Sequence, residues 1–183
     1  EALKNLDNFL NCLQDFDLSN DLLILLPLSI NANVIQIQNY LNKYGFKKQS
    51  KVKFLIDEDS VWKKKNKHIV IGKGKFSSWA NMAEVGLSNA GTATEQIAGI
   101  GIPSLSLPGT GPQFTKSFAK RQSRLLGGSV LVCKNKEILV ERLSLLLKGN
   151  VDRLEQAKIG KKRMGESGAS KKIVDAINLH LLS

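Results

Sequence analysis

Residues 85–124, VGLSNAGTATEQIAGIGIPSLSLPGTGPQFTKSFAKRQSR, constrain the fold of this chain more than any other stretch. Two apolar runs, Val85–Ser88 and Pro103–Leu107, each give way to a turn of small residues and then to helical periodicity. The first turn, Asn89–Thr92, opens a helix at Ala93–Ile100, and a Gly/Pro loop after the second run opens a basic helix. A strand that passes at once into a helix, twice in succession, implies crossover connections, and these join parallel strands. Gly and Thr at both turns let backbone N–H groups approach an anionic ligand at the carboxyl edge of such a sheet.

The rest of the chain repeats this alternation. Leu3, Leu6, Phe9, Leu10 and Leu13 recur at helical spacing in residues 1–16. Asp21–Ser29 is a continuous apolar run, as expected of a buried parallel strand. Asn33–Tyr44 reads as a helix stopped by Gly45, Val52–Ile56 as a weak strand, Asp57–Lys67 as a polar loop and His68–Ile71 as a buried strand. Phe76–Ala83 is a short helical turn. Beyond the central stretch come a strand at Val130–Cys133 and helices at Lys136–Lys148, Val151–Met164 and Ser170–Leu182. The pattern predicts an α/β fold, a doubly wound Rossmann-like parallel sheet with a helical appendage. In that architecture a central strand precedes the first helix. This chain starts on a helix, and on Glu1 rather than Met, so the sheet is expected to be truncated at its first strand.

Charge narrows the partners. Twenty-seven basic against sixteen acidic residues leave a formal charge of +11, which favours anionic ligands: nucleotides, nucleic acid or an acidic membrane surface. Cys12 and Cys133 lie far apart and read as reduced structural thiols. The longest apolar run, Leu22–Ile30, is interrupted by Pro27 and too short to span a bilayer, so a cytoplasmic chain is expected. His68 and His180 have no metal or triad spacing, and the lysine run Lys63–Lys67 has one neighbouring aromatic, Trp62, where a single-strand binder interleaves several. A solvated loop is the reading there.

Three loops carry candidate chemistry, each with a structural alternative. In Asn89–Gln96 the amides of the following helix, with Thr92 and Thr94, can bind phosphate; equally, Thr92-x-x-Glu95 is a capping box in which Glu95 serves its own helix. Pro108–Gln113 offers a second set of N–H groups or an ordinary turn. Gly72–Phe76 closes a buried strand one crossover earlier on the same edge, where Lys75 and Phe76 can hold a base. Phe114 and Phe118 read as core or as a ligand shelf. The stripe Lys116, Lys120 and Arg124 reads as a solvated face or as a contact to phosphate or anionic lipid.

Taken in order, Asn-Ala-Gly-Thr-Ala-Thr-Glu-Gln at 89–96, Gly-Ile-Pro at 101–103, Leu-Pro-Gly-x-Gly-Pro-Gln-Phe at 107–114 and Arg-Met-Gly-Glu-Ser-Gly-Ala-Ser at 163–170 resemble a known family. They are similar to the carboxyl-terminal donor domain of GT-B glycosyltransferases, closest to the lipid-A-disaccharide synthase-related proteins of cyanobacteria. The resemblance implies that residues 1–150 form a nucleotide-sugar-binding domain and 151–183 a helical extension packing on it or crossing from it. It implies that Gly91, Thr92, Ala93 and Thr94 face the diphosphate of a UDP-sugar and that Glu95 bonds the ribose hydroxyls. Gly111, Gln113 and Phe114 would lie by the donor sugar, and Lys75 and Phe76 by the base. No metal or other cofactor is implied. The amino-terminal acceptor domain and a Gly/Ser-rich phosphate loop would precede Glu1, so the parent protein is expected to be a hexosyltransferase and this chain alone inactive. The acceptor is expected to be a lipid or a sugar, with an anionic membrane surface as a further partner and nucleic acid not favoured. The other readings are a UDP-N-acetylglucosamine 2-epimerase-like enzyme, which shares the grip, and a non-enzymatic basic module for nucleic acid or a membrane surface.

Overall fold

The computed structural model describes residues 1–17, 19–50, 58–109 and 114–181. Within them the elements run α1 (Ala2–Asp15), β1 (Leu22–Leu28), α2 (Val34–Lys43), β2 (Lys47–Gln49), β3 (Ser60–Lys64), β4 (Lys67–Lys73), α3 (Phe76–Ala80) and β5 (Gly86–Leu87). There follow α4 (Thr92–Ile100), β6 (Ser104–Ser106), α5 (Lys116–Leu125), β7 (Val130–Val132), α6 (Lys136–Lys148), α7 (Asn150–Met164) and α8 (Ala169–Leu181). The α/β alternation is therefore present. The strand expected at Val52–Ile56 lies outside the described residues.

The strands divide between two sheets. One is mixed, in the order β1-β4-β3-β2, and the other is parallel, in the order β5-β6-β7. A wholly parallel sheet is thus corrected: β1 and β4 pair in parallel, but β3 runs antiparallel to both β4 and β2. The polar loop read at Asp57–Lys67 is also corrected, because Ser60–Lys64 is a strand. Lys64 pairs with Lys67 across the two-residue turn Lys65-Asn66, and Lys65 adopts φ 51°, as a tight hairpin turn requires. Val61 and Trp62 are both buried, on opposite faces of the sheet. The lysines around them conceal the strand in the sequence. Lys64 Nζ reaches back to the Tyr44 carbonyl and to Gln14, so even this charge has fixed partners.

Side-chain alternation sorts the core by face. Ile69 and Ile71 of β4 meet Leu10 of α1 and Ile37 and Leu41 of α2, while Val70 meets Trp79 of α3 on the other face. Gly72, on the Val70 side, leaves the space that the Trp79 ring fills; a Cβ there would overlap the ring. Leu22 donates its N–H to Asn66 and Leu28 accepts from the Gly74 N–H, so even-numbered residues of β1 bond towards β4. Pro27, which has no N–H to give, falls on the opposite side at no cost to the ladder. In the second sheet Leu105 packs in one cluster with Cys12 and Leu13 of α1, Phe16 just after it, and Leu139 and Leu143 of α6. Leu22 and Ile24 of β1, with Val85 and Leu87, pack on that same cluster, so a single apolar layer underlies both sheets.

The terminal helices differ from each other. α7 packs on α4 through small residues: a Cβ on Gly160 would sit 2.5 Å from the Ala98 carbonyl oxygen. α8 is exposed along the residues whose burial is described. Gly160→Ala is expected to lower stability by about 1–3 kcal/mol through overpacking, although Ala favours helix over Gly by up to about 1 kcal/mol. A melting temperature equal to or above that of the parent chain would show that α7 is not seated on α4 as described.

Candidate functional site

The turn between β5 and α4 is built around Asn89. Its Oδ1 accepts from the Leu107 N–H (2.9 Å) and from Ser106 Oγ (3.2 Å). Its Nδ2 donates to the Leu107 carbonyl (2.6 Å) and to Asn5 Oδ1 of α1 (3.2 Å). One side chain thereby ties the end of β5 to the end of β6 and to the first turns of α1. Gln122, buried on α5, donates from Nε2 to the Gly91 carbonyl (3.0 Å) and fixes the turn from the other side. The Phe118 ring approaches Gly91, where a Cβ would lie 3.8 Å from it.

The backbone that this frame holds is an uncapped helix start. Gly91 is the N-cap of α4, with no side-chain hydrogen bond to the first turn. Thr92 is therefore the first helical residue and not a cap, which removes the capping-box alternative. The Glu95 N–H bonds the Gly91 carbonyl (3.2 Å), but its carboxylate has no hydrogen-bond or ion-pair partner among the described residues and is only partly buried. The amide dipoles at this end favour negative charge by about 0.3–1 kcal/mol on an exposed surface. Ala93 is half-buried and Thr92 exposed. Thr94 differs: it is fully buried, its hydroxyl donating to the Ala90 carbonyl (2.6 Å) and sharing a 2.6 Å bond with Ser88 Oγ. Its hydroxyl holds the turn together, and its backbone amide is what faces the helix end.

Of the remaining candidates, Phe114 is buried, its ring edge-on to Phe118 at 5.4 Å and its N–H donating to Glu1 Oε1 (2.8 Å). It packs on the ring that approaches Gly91 and holds Glu1, the N-cap residue of α1, beside it. Gly111 and Gln113 lie outside the described residues. Lys75 and Phe76, both half-buried, stand at the start of α3 beyond the carboxyl end of β4, in the other sheet from Gly91. Phe114 is thus linked to the Gly91 turn through Phe118, and Lys75-Phe76 follow a strand of the mixed sheet.

The two cysteines are buried thiols. Burial pushes the Cys133 thiol up to about 11 and raises the Cys12 thiol too, so both stay protonated at neutral pH. Among the described residues no three His, Cys, Asp or Glu side chains are grouped as metal ligands. Nor, among them, is any helix long and apolar enough to cross a membrane. Asn89 and Gln122 were not singled out from the sequence. The available signals were an Asn immediately after a strand and a Gln on the apolar side of α5. Comparison of the chain with protein-family models, with curated proteins and with solved structures gives no match.

Proposed function

We propose that this chain is the donor-binding part of a GT-B-type glycosyltransferase and holds a UDP-sugar of the UDP-N-acetylglucosamine type. The observation that carries the reading is the Glu95 carboxylate, without a partner among the described residues, one turn inside a helix whose N-cap residue makes no side-chain cap. A diphosphate fits the first amides of that helix, at Thr92, Ala93 and Thr94, because they present N–H groups and the positive end of the helix dipole. Glu95 then accepts hydrogen bonds from the ribose hydroxyls. When an acceptor hydroxyl attacks the anomeric carbon, negative charge develops on the departing UDP. Preorganised amides stabilise that charge without reorganisation. Asn89 and Gln122 are positioning residues in this scheme, since they hold the turn and touch no ligand. The acceptor is a lipid or a sugar delivered by the rest of the parent protein, and the net positive charge suits work at an anionic cytoplasmic membrane face.

The test is thermal protection by UDP. At about 100 times its Kd a ligand stabilises by about 2.7 kcal/mol. For a chain of this size that corresponds to a rise of about 5–11 °C in melting temperature. Protection by an oligonucleotide that fades with added salt, with none from UDP or UDP-N-acetylglucosamine, would overturn the reading in favour of a nucleic-acid module.

A further inference from the structure

One described cavity is not at the Gly91 turn. It lies across α5 from it, between α5 and the carboxyl end of β7, with a volume of about 650 Å³. Helical spacing explains the separation. Ala119, Gln122 and Leu126 turn inward from α5, and Gln122 reaches the Gly91 turn. Lys116, Lys120 and Arg124, each four residues apart, occupy another stripe of the helix and line the cavity. Lys134, just beyond β7, adds a fourth cation from the facing wall, and Val132 supplies apolar surface between them, while Leu131, its neighbour on β7, packs into the core on the other face.

Among the described residues no Asp or Glu lines this space. Among the described residues none of the four cations has a hydrogen-bond or ion-pair partner, whereas Lys136, two positions beyond Lys134, is paired with Asp15 at 2.7 Å. All four residues are exposed and line one concavity, where a bound polyanion can meet several of them at once. The volume falls within the range of small-molecule sites and exceeds what a bare anion needs, and the apolar wall suits a neutral portion of the same ligand.

We infer that the cavity bounded by Lys116, Lys120, Arg124 and Lys134 is a second anion site that takes a phosphate ester. The cations hold the phosphate, and Val132 contacts the part that the phosphate is joined to. The ester can be a soluble one or the headgroup of an anionic lipid; both present the same group to the same side chains. The four cations are distinct from the residues proposed for the nucleotide-sugar, whereas Pro108, which also lines the cavity, opens the loop expected by the donor sugar, so the two sites are tested separately.

The experiment uses the full chain with the first site saturated by UDP. Inorganic pyrophosphate is titrated calorimetrically, and phosphatidylglycerol vesicles are compared with phosphatidylcholine vesicles by co-sedimentation. Binding is expected to one or both of pyrophosphate and the phosphatidylglycerol vesicles, which tells a soluble source from a lipid one. Lys120→Gln with Arg124→Gln is expected to weaken that binding by about tenfold or more, as two charge-assisted contacts are lost. Lys171→Gln with Lys172→Gln on α8, an equal change in net charge far along the chain, is expected to leave it unchanged. Should the first pair fail to fold, Lys116→Gln with Lys134→Gln makes the same test from both walls of the cavity. Glu95→Ala is expected to leave pyrophosphate and vesicle binding intact, so failure here and failure of the UDP site are distinguishable. The inference is overturned if neither probe binds, if the cavity pair binds as well as the parent chain, or if the α8 pair loses as much.

Discussion

Glu95→Ala is expected to weaken UDP binding by about 10- to 100-fold while leaving the melting temperature almost unchanged. Hydrogen bonds to a charged group contribute about 1.5–3 kcal/mol, and in this scheme the carboxylate makes such bonds to ribose hydroxyls. In the unliganded chain it makes none among the described residues, and Gly91, not Thr92, holds the N-cap position. Removing a carboxylate that only capped its own helix would instead cost about 0.5–2 kcal/mol of stability. Calorimetric titration with UDP alongside a melting curve separates the two. Unchanged UDP affinity with a depressed melting temperature would return Glu95 to a structural role and take the main support from the proposed function.

Asn89→Ala is expected to do the reverse in the first instance, with a stability loss of about 2–4 kcal/mol. Four hydrogen bonds converge on this half-buried side chain, and its removal leaves both the N–H and the carbonyl of Leu107 without their partner. In melting temperature that is a fall of about 4–16 °C for a chain of this length. UDP affinity falls with it, because the turn between β5 and α4 is no longer tied to β6 and α1. A melting temperature within about 2 °C of the parent, on the same scaling, would show that Asn89 is not the pin of this turn.

The contrast between these residues shows where sequence and structure part. Glu95 is visible in the sequence because it follows a Gly-Thr turn at the head of a helix, but its role has two equal readings there. Which one applies depends on which residue becomes the N-cap, and the conformation at Gly91 decides it. Asn89 opens the 89–96 motif, but nothing there assigns its side chain a role. Its partners lie as far away as Leu107 and Asn5, and only the folding of α1 and β6 against β5 brings them within reach. Thr94 illustrates the opposite outcome, since a hydroxyl that looks available in sequence is turned into the core by its position on α4.

The alternation of apolar runs, small-residue turns and helical periodicity by itself determined that the chain is α/β. It also placed most element boundaries within a few residues, since side-chain period and caps such as Asn33, Thr115 and Asn135 are local signals. Strand direction is not local. The sequence offered a uniformly parallel sheet, but β3 turns back on β4 through Lys65-Asn66, and its buried Val61 and Trp62 stand next to a run of lysines that masks them. In the same way, composition made the chain basic, but charge in a sequence has no position. Only the packing of α5 beside β7 brought Lys116, Lys120 and Arg124 opposite Lys134 around one cavity, on the other side of a helix from the turn that the motifs announced.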